Sequence, residues 1–474
     1  MLDQLMGSNL QNMSANDRPV LLDAVSGIMQ RPEWRSPPSA FCPLSDRMPS
    51  TMITRNSSKS SLASSTSDYY LESVHHNIRN IFVQNLMVQM AFAVDRMSLR
   101  SAPASLVSFC GKTCAYAFFF CPGVADILVR VWDIPTKCIK RVLSASSQDF
   151  IRDARPASRG MQANFPQCLQ ALTLKSSREA VEFLRKKPVP PLGTEHVQWH
   201  GYWLSRWSGK ESDLFYVFVK HFHMLTVEFL PSDASKTERL SAPGVVLVYS
   251  QLLANLDSTI HRLGPALADA NATEVTQIPF DDFLGADATA QSFPTPPANA
   301  SRLMTENRLI VLLRDMLANL PYPQPVYSLF FAESFGDILK ASVRTTSLYH
   351  HSACFTLCDF LQETFAILAN FQRIARTQAP LIDITFWMPA FKQMVQSQNT
   401  TTEIRLYSLL FTCWPFLTDS DIFKTELSIN FLLEEQYFTS RFCHWCPMVR
   451  AYFMRLVCWR VARCSNGEVT DVDQ

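Results

Sequence analysis

The chain has 474 residues, 47% of them hydrophobic and 18% charged, with a formal net charge of +1. That balance supports a large apolar core and excludes a wholly disordered chain, and it leaves no global field to recruit nucleic acid or an anionic membrane. Thirteen glycines against 33 phenylalanines count against doubly wound, P-loop and β-sandwich folds, which need glycine where φ is positive, and favour helices that bury aromatic rings against one another.

Helical periodicity dominates from the start. Residues 1–35 hold a first helix: Asp17 caps it, Pro19 sits in its first turn, and Val20, Leu21, Ala24, Val25, Ile28 and Met29 form an apolar stripe ended by Pro32. Residues 36–67 run from a proline cluster into Ser57, Ser58, Ser60, Ser61, Ser64 and Ser65, which predicts a disordered polar linker. Residues 68–263 read as the first half of a helical array. Its first helix spans 68–100, with Leu71, Val74, Ile78, Ile81, Leu86 and Met90 inward. Pro103, Pro122 and Pro135 open the next three, and a further helix covers 166–187. WHGYWLSRW (199–207) and DLFYVFVKHFH (213–223) follow as two consecutive helices, with Gly209 as a C-cap. The stretch 244–263 reads as a helix, although GVVLVYS within it has strand composition.

Residues 264–300 form a second disordered polar loop, and 301–464 a second helical half, with helices at 301–319, 325–343, 347–376, 383–397, 401–417, 421–440 and 442–463; 465–474 is a polar tail. The expected fold is all-α, either an irregular α-solenoid of the HEAT or armadillo kind or a large multi-helix array with two disordered loops. No segment of about 20 residues is apolar enough to predict a membrane span.

The motifs that could carry chemistry each have a plain packing alternative. CGKT (110–113) has Leu106 where a phosphate-binding loop needs glycine, and it lies in an apolar helix. The 13 cysteines follow no signal peptide, which points to free thiols in a reducing compartment. Cys110 with Cys114, and Cys354 with Cys358, have the spacing of core residues on one helix face. CHWC (443–446) reads first as core thiols on the face of a helix that continues through Val449, Phe453 and Leu456. It also admits a zinc set of Cys443, His444, Cys446 and Cys458 or Cys464, or a redox pair. The histidine pairs 75–76, 221 with 223, and 350–351 are too closely spaced to share a metal on a helix. The basic run Arg185, Lys186, Lys187 ends a helix, where cations complement the dipole; phosphate or lipid binding is the alternative.

The Trp199, Trp203 and Trp207 stripe is a buried packing anchor by one reading. By another it is a partner-binding groove with Tyr202 and Arg206, and by a third a membrane-interface belt. Ser57, Ser60 and Thr295 are candidate phosphorylation sites in the two polar segments.

Taken together, NDRPVLLDAVSGIMQRPEWR, DYYLESVHHNIRNIFVQNLMVQMAF, WHGYWLSRW and CHWCPMVRAYFMRLVCWRV resemble a fungal family known as a domain of unknown function (number 1765), over about residues 10–463. The resemblance implies a long helical protein, in a family some of whose members carry a membrane-protein label, and supplies no catalytic residues. It also implies relatives longer than this chain, hence a short form or an incomplete gene model.

The function expected from these readings is a non-catalytic intracellular scaffold or adaptor for protein partners. It would be cytoplasmic, bind neither cofactor nor nucleic acid, and make at most peripheral contact with a membrane. The alternatives are a peripheral membrane protein docked by a basic-aromatic surface, and a zinc-dependent protein using the Cys443–Cys446 region.

Overall fold

A computed structural model describes residues 17–31, 63–99, 101–150, 164–174, 176–191, 194, 196–208, 213–231, 234–261, 304–317, 326–376 and 380–462. The protein is all-α, and no strand occurs among these residues. The chain divides into two compact units, 1–251 and 252–474, with the boundary inside a helix, Val245–Ile260.

The N-terminal unit contains α1 (Asp17–Met29), α2 (Ala63–Met97), α3 (Ala104–Phe120), α4 (Val124–Arg130), α5 (Thr136–Phe150), α6 (Ser177–Arg185), α7 (Trp203–Trp207), α8 (Asp213–Phe229), α9 (Lys236–Leu240) and the start of α10 (Val245–Ile260). Helix α3 is its hub. It is the most apolar of these helices in composition, and α1, α2, α4 and α8 all pack on it. The α3–α8 contact joins segments about a hundred residues apart, so the helices gather round α3 rather than stacking only on their chain neighbours. Gly111 permits the approach: a methyl group there would lie 2.6 Å from Val217 Cβ. CGKT is thus helix, with Cys110, Gly111 and Thr113 buried and Lys112 half-buried. The rings of Phe118, Phe119, Phe218, Phe222 and Phe229 fill the interface with centroids 5.4–5.7 Å apart. Gly244, at φ +79° and with a would-be Cβ 2.8 Å from Phe118, turns the chain into α10, so GVVLVYS is helix rather than strand.

Several sequence expectations shift. Helix α2 begins at Ala63, inside the segment read as linker, because Ser64 and Ser65 extend a helix whose apolar face lies further along. Ile81 on that helix and Val20 on α1 are exposed, and the buried face of α1 is Leu22, Val25, Ser26 and Met29. The 166–187 segment is two elements, a 3-10 turn at Gln167–Leu172 and α6, because Ser176 caps a new helix by accepting from Glu179 N (3.2 Å).

The C-terminal unit contains α11 (Arg308–Leu317), α12 (Val326–Val343), α13 (His351–Ala375), α14 (Ile384–Gln396) and α15 (Thr400–Leu417). Helix α16 (Asp421–Leu427) runs into a π turn at Ser428–Leu432; α17 (Glu435–Phe442) follows, and α18 (Pro447–Leu456) runs into a second π turn at Val457–Val461. Helices α13 and α15 form its centre, bridged by Arg405, which donates to Asp359 and to Gln362. Side-chain caps start α14 (Asp383 accepting from Thr385 N, 3.1 Å) and α15 (Asn399 accepting from Thr402 N, 2.9 Å). Helix α13 corrects one expectation: by length and composition it could cross a membrane. Half of its apolar stretch is buried inside the unit, and its Asp359 pairs with Arg405, which is how a core helix passes the same test.

Candidate docking surface

The predicted tryptophan stripe is core. Helix α7 covers only Trp203–Trp207, and Trp199 lies in the turn before it. Trp199, Trp203 and Trp207 are 3%, 1% and 0% exposed, which removes them as a docking surface. Every indole N–H is satisfied: Trp199 donates to Thr194 Oγ1 (3.1 Å), Trp203 to Trp199 O (3.1 Å) and Trp207 to Leu128 O (2.9 Å). Trp207 stacks on Trp132 and meets Phe218 edge-on at 4.9 Å. Arg206 is tethered through Nη2 to Leu99 O (2.7 Å), and of the five proposed partner-binding residues Tyr202 alone is largely exposed.

Nor do the CHWC residues occupy the helix face read from sequence. They form the turn between α17 and α18, because Pro447 starts a new helix at its N1 position. Cys443 and Cys458 are exposed and Cys446 is half-buried. His444 organises the turn: its Nδ1 accepts from Cys446 N (3.1 Å), and its carbonyl accepts from Arg450 Nη1 (2.6 Å). Slight burial and the guanidiniums of Arg441 and Arg450 hold its pKa below the usual value. Cys458 sits twelve residues past Cys446, about 18 Å along the helix, too far to complete a zinc set with the turn. Among the described residues no group of three or more His, Cys, Asp or Glu could hold a metal ion. Cys110, Cys114, Cys354 and Cys358 are buried, as their spacing implies, and burial raises each thiol pKa. Ser57, Ser60, Thr295 and Cys464 lie outside the described residues, as do the side chains of His75 and His76.

The surface that sequence reading missed lies on this same C-terminal segment. Met448, Tyr452 and Arg455 follow one another at intervals of four and three residues along one side of α18, with Trp445 in the turn before the helix and Trp459 in the π turn after it. Trp445 is 78% and Trp459 59% exposed and Met448 and Tyr452 are half-buried, while Val449, Phe453 and Leu456 on the adjacent face are buried. Helix α18 therefore buries one apolar face and leaves the tryptophans at its two ends to solvent. Phe442, Ile422, Ile429 and Leu433 are exposed on the neighbouring α17 and α16 segments. Cations accompany them: Arg455 and Arg460 hold their guanidiniums 5.1 and 4.3 Å from the centroid of Phe411.

A buried polar cluster anchors this surface. Helix α17 has no fully buried residue, yet it is tied down by Arg441, which pairs with Glu403 Oε2 at 3.1 Å, and by Tyr437, whose hydroxyl meets that of Tyr407 at 2.7 Å. Glu403 has no exposed surface and its Oε1 has no partner. Desolvation outweighs Arg441 and raises the Glu403 pKa above the ordinary carboxylate value. Arg441→Met is expected to cost about 3 kcal/mol at neutral pH, since it strands a buried carboxylate. The loss should shrink as pH falls and Glu403 takes up a proton, and Glu403→Gln should recover part of it. Urea denaturation of the single and double variants checks this; equal stability of Arg441→Met and the parent would remove the ion pair as an anchor.

The class that the fold defines is an all-α protein. Residues 335–461 match the family model described as "Protein of unknown function (DUF1765)", so the family recognised from the sequence is supported over the stretch that carries this surface. A UPF0592 membrane protein of Schizosaccharomyces pombe is 23% identical over 397 residues, 80% of this chain and 41% of that protein. The chain thus spans less than half the length of that relative. No solved structure matches it.

Proposed function

We propose that the chain is a non-catalytic helical protein that docks peripherally on a membrane surface through the Trp445–Trp459 side of its C-terminal unit. The observation that carries the proposal is the exposed pair Trp445 and Trp459, with exposed Arg455 and half-buried Met448 and Tyr452 between them. Indole and phenol rings favour the lipid headgroup region, and arginine stems can cover apolar surface while the guanidinium stays at the phosphates. The S. pombe relative is described as a membrane protein, which supports the reading.

The experiment is flotation of the full chain with vesicles of phosphatidylcholine and phosphatidylserine. The parent should float, and Trp445→Ser with Trp459→Ser should stay at the bottom with an unchanged circular dichroism spectrum. Flotation of the double variant at the parent level would overturn the proposal. An adaptor role resting on the same residues would show instead as a tryptophan-dependent protein complex formed without lipid.

A further inference from the structure

A second basic surface lies in the N-terminal unit. A pocket of about 390 Å³ is bounded by the C-terminal ends of α4 and α6 and by the turn entering α7. Arg130, Arg185, Lys186, Lys187 and His200 line it with Val131, Leu184, Pro188 and Leu204, and no acidic residue does so. The cation run at the end of α6 is more than a complement to a helix dipole. The carbonyl of Lys186, the C-cap of that helix, already accepts from Arg130 Nη1. Arg185, Lys186 and Lys187 are exposed and form no ion pair with any described residue.

Arg130 is the second observation. Its side chain is only 7% exposed and is fixed on three sides: Nη1 to Lys186 O, Nη2 to Asp126 Oδ2 (3.3 Å), and the guanidinium carbon 4.1 Å from the Phe183 ring centroid. Its Nε–H is buried and has no partner. A buried guanidinium donor left open beside a pocket of unpaired cations is what a phosphate oxygen would complete, because arginine gives directional hydrogen bonds and lysine adds point charge. By contrast, the cavity of about 860 Å³ in the C-terminal unit sets Asp419 beside Arg373 and Arg376, so no single sign of charge prevails there.

We propose that this pocket binds a clustered phosphate, two or more phosphate groups on one small scaffold, either as a soluble polyphosphate or as a phospholipid headgroup. The volume suits a phosphorylated sugar-sized group, and three unpaired cations beside Arg130, whose own charge is met by Asp126, call for more than one phosphate.

The test is calorimetric titration of the full chain with inositol hexakisphosphate at low salt, in parallel with flotation on phosphatidylcholine vesicles containing phosphatidylinositol 4,5-bisphosphate. Arg185→Glu with Lys187→Glu should weaken the soluble probe at least about tenfold, whereas Lys137→Glu with Lys140→Glu, on exposed positions of α5 outside the pocket, should leave it unchanged. Arg130→Met should weaken binding with the fold retained by circular dichroism. Soluble binding without vesicle recruitment assigns a free polyphosphate; recruitment lost in the Arg185/Lys187 variant but kept in Trp445→Ser/Trp459→Ser assigns a headgroup. No measurable binding of the probe, or equal weakening by the α5 reversals, would overturn the proposal. The soluble titration does not depend on the C-terminal tryptophans, so its failure is separate from failure of membrane docking there.

Discussion

Trp207→Ala is expected to destabilise the N-terminal unit by about 4 kcal/mol, the range for deleting a fully buried large aromatic side chain. Trp207 has no exposed surface, stacks on Trp132 and meets Phe215 and Phe218 edge-on. Its N–H also satisfies Leu128 O, one of the last carbonyls of α4, where the helix has no further donor of its own. Truncation therefore opens a cavity and orphans a buried acceptor at once. Trp207→Phe should cost less, since it keeps most of the ring volume and loses the hydrogen bond. Urea denaturation followed by far-UV circular dichroism reads both. A midpoint for Trp207→Ala within error of the parent would show that the tryptophan cluster is not a packing anchor.

The N-terminal unit should also lose stability between pH 6.5 and pH 4. His223 is fully buried: its Nδ1 lies 2.8 Å from Val219 O and its Nε2 2.5 Å from the Tyr249 hydroxyl. The carbonyl cannot donate, so the neutral ring carries its proton on Nδ1 and accepts from the tyrosine. Burial lowers the pKa of His223 to about 4, and burial with Lys112 and Lys220 lowers that of His221 to about 3. Both folded values lie below the unfolded one, so the unfolded chain binds more protons as pH falls. The stabilisation is complete above about 6.5 and is lost towards the folded values.

At pH 5 each histidine costs about 2 kcal/mol, together about 4 kcal/mol. Melting temperature should fall steeply from pH 7 to pH 5, and His223→Gln should roughly halve the slope. A flat profile, or ring resonances titrating near 6.5, would contradict this. Glu403, Asp359 and Glu363 in the C-terminal unit have pKa values raised first by desolvation, so protonating them in acid favours the folded form. Asp383, held down by Lys340 and Thr385, and His444 have lowered pKa values in that unit and lose stabilisation in acid, so the C-terminal unit has opposing contributions while the two buried histidines of the N-terminal unit act together.

Much of the helical content was legible before any contact was known. The helices read over 383–397 and 401–417 start where Asp383 and Asn399 cap α14 and α15, because capping is a local matter of a few backbone N–H groups, whereas the reading of one helix over 442–463 misses the restart at Pro447. The buried pairs Cys110–Cys114 and Cys354–Cys358 follow from helical spacing alone. The 166–187 segment was misjudged because a competing cap, Ser176, interrupts an otherwise helical pattern. The pocket at Arg130 could not be read, since Arg130 and Lys186 are 56 residues apart and meet only through packing.

Sequence alone settled the class of this protein: scarce glycine, abundant phenylalanine and a 3.6-residue period admit helices and little else. It also set the tryptophans of 199–207 one turn apart, and put Trp445 and Trp459 either side of the apolar run Val449, Phe453 and Leu456. Only the tertiary structure decided that the first group is core and the second is surface. Both segments present apolar residues at helical spacing, and periodicity marks which residues share a face without marking which face meets a neighbour. Burial is settled by what packs against the helix, and α18 has partners for Val449, Phe453 and Leu456 but leaves Trp445 and Trp459 to solvent.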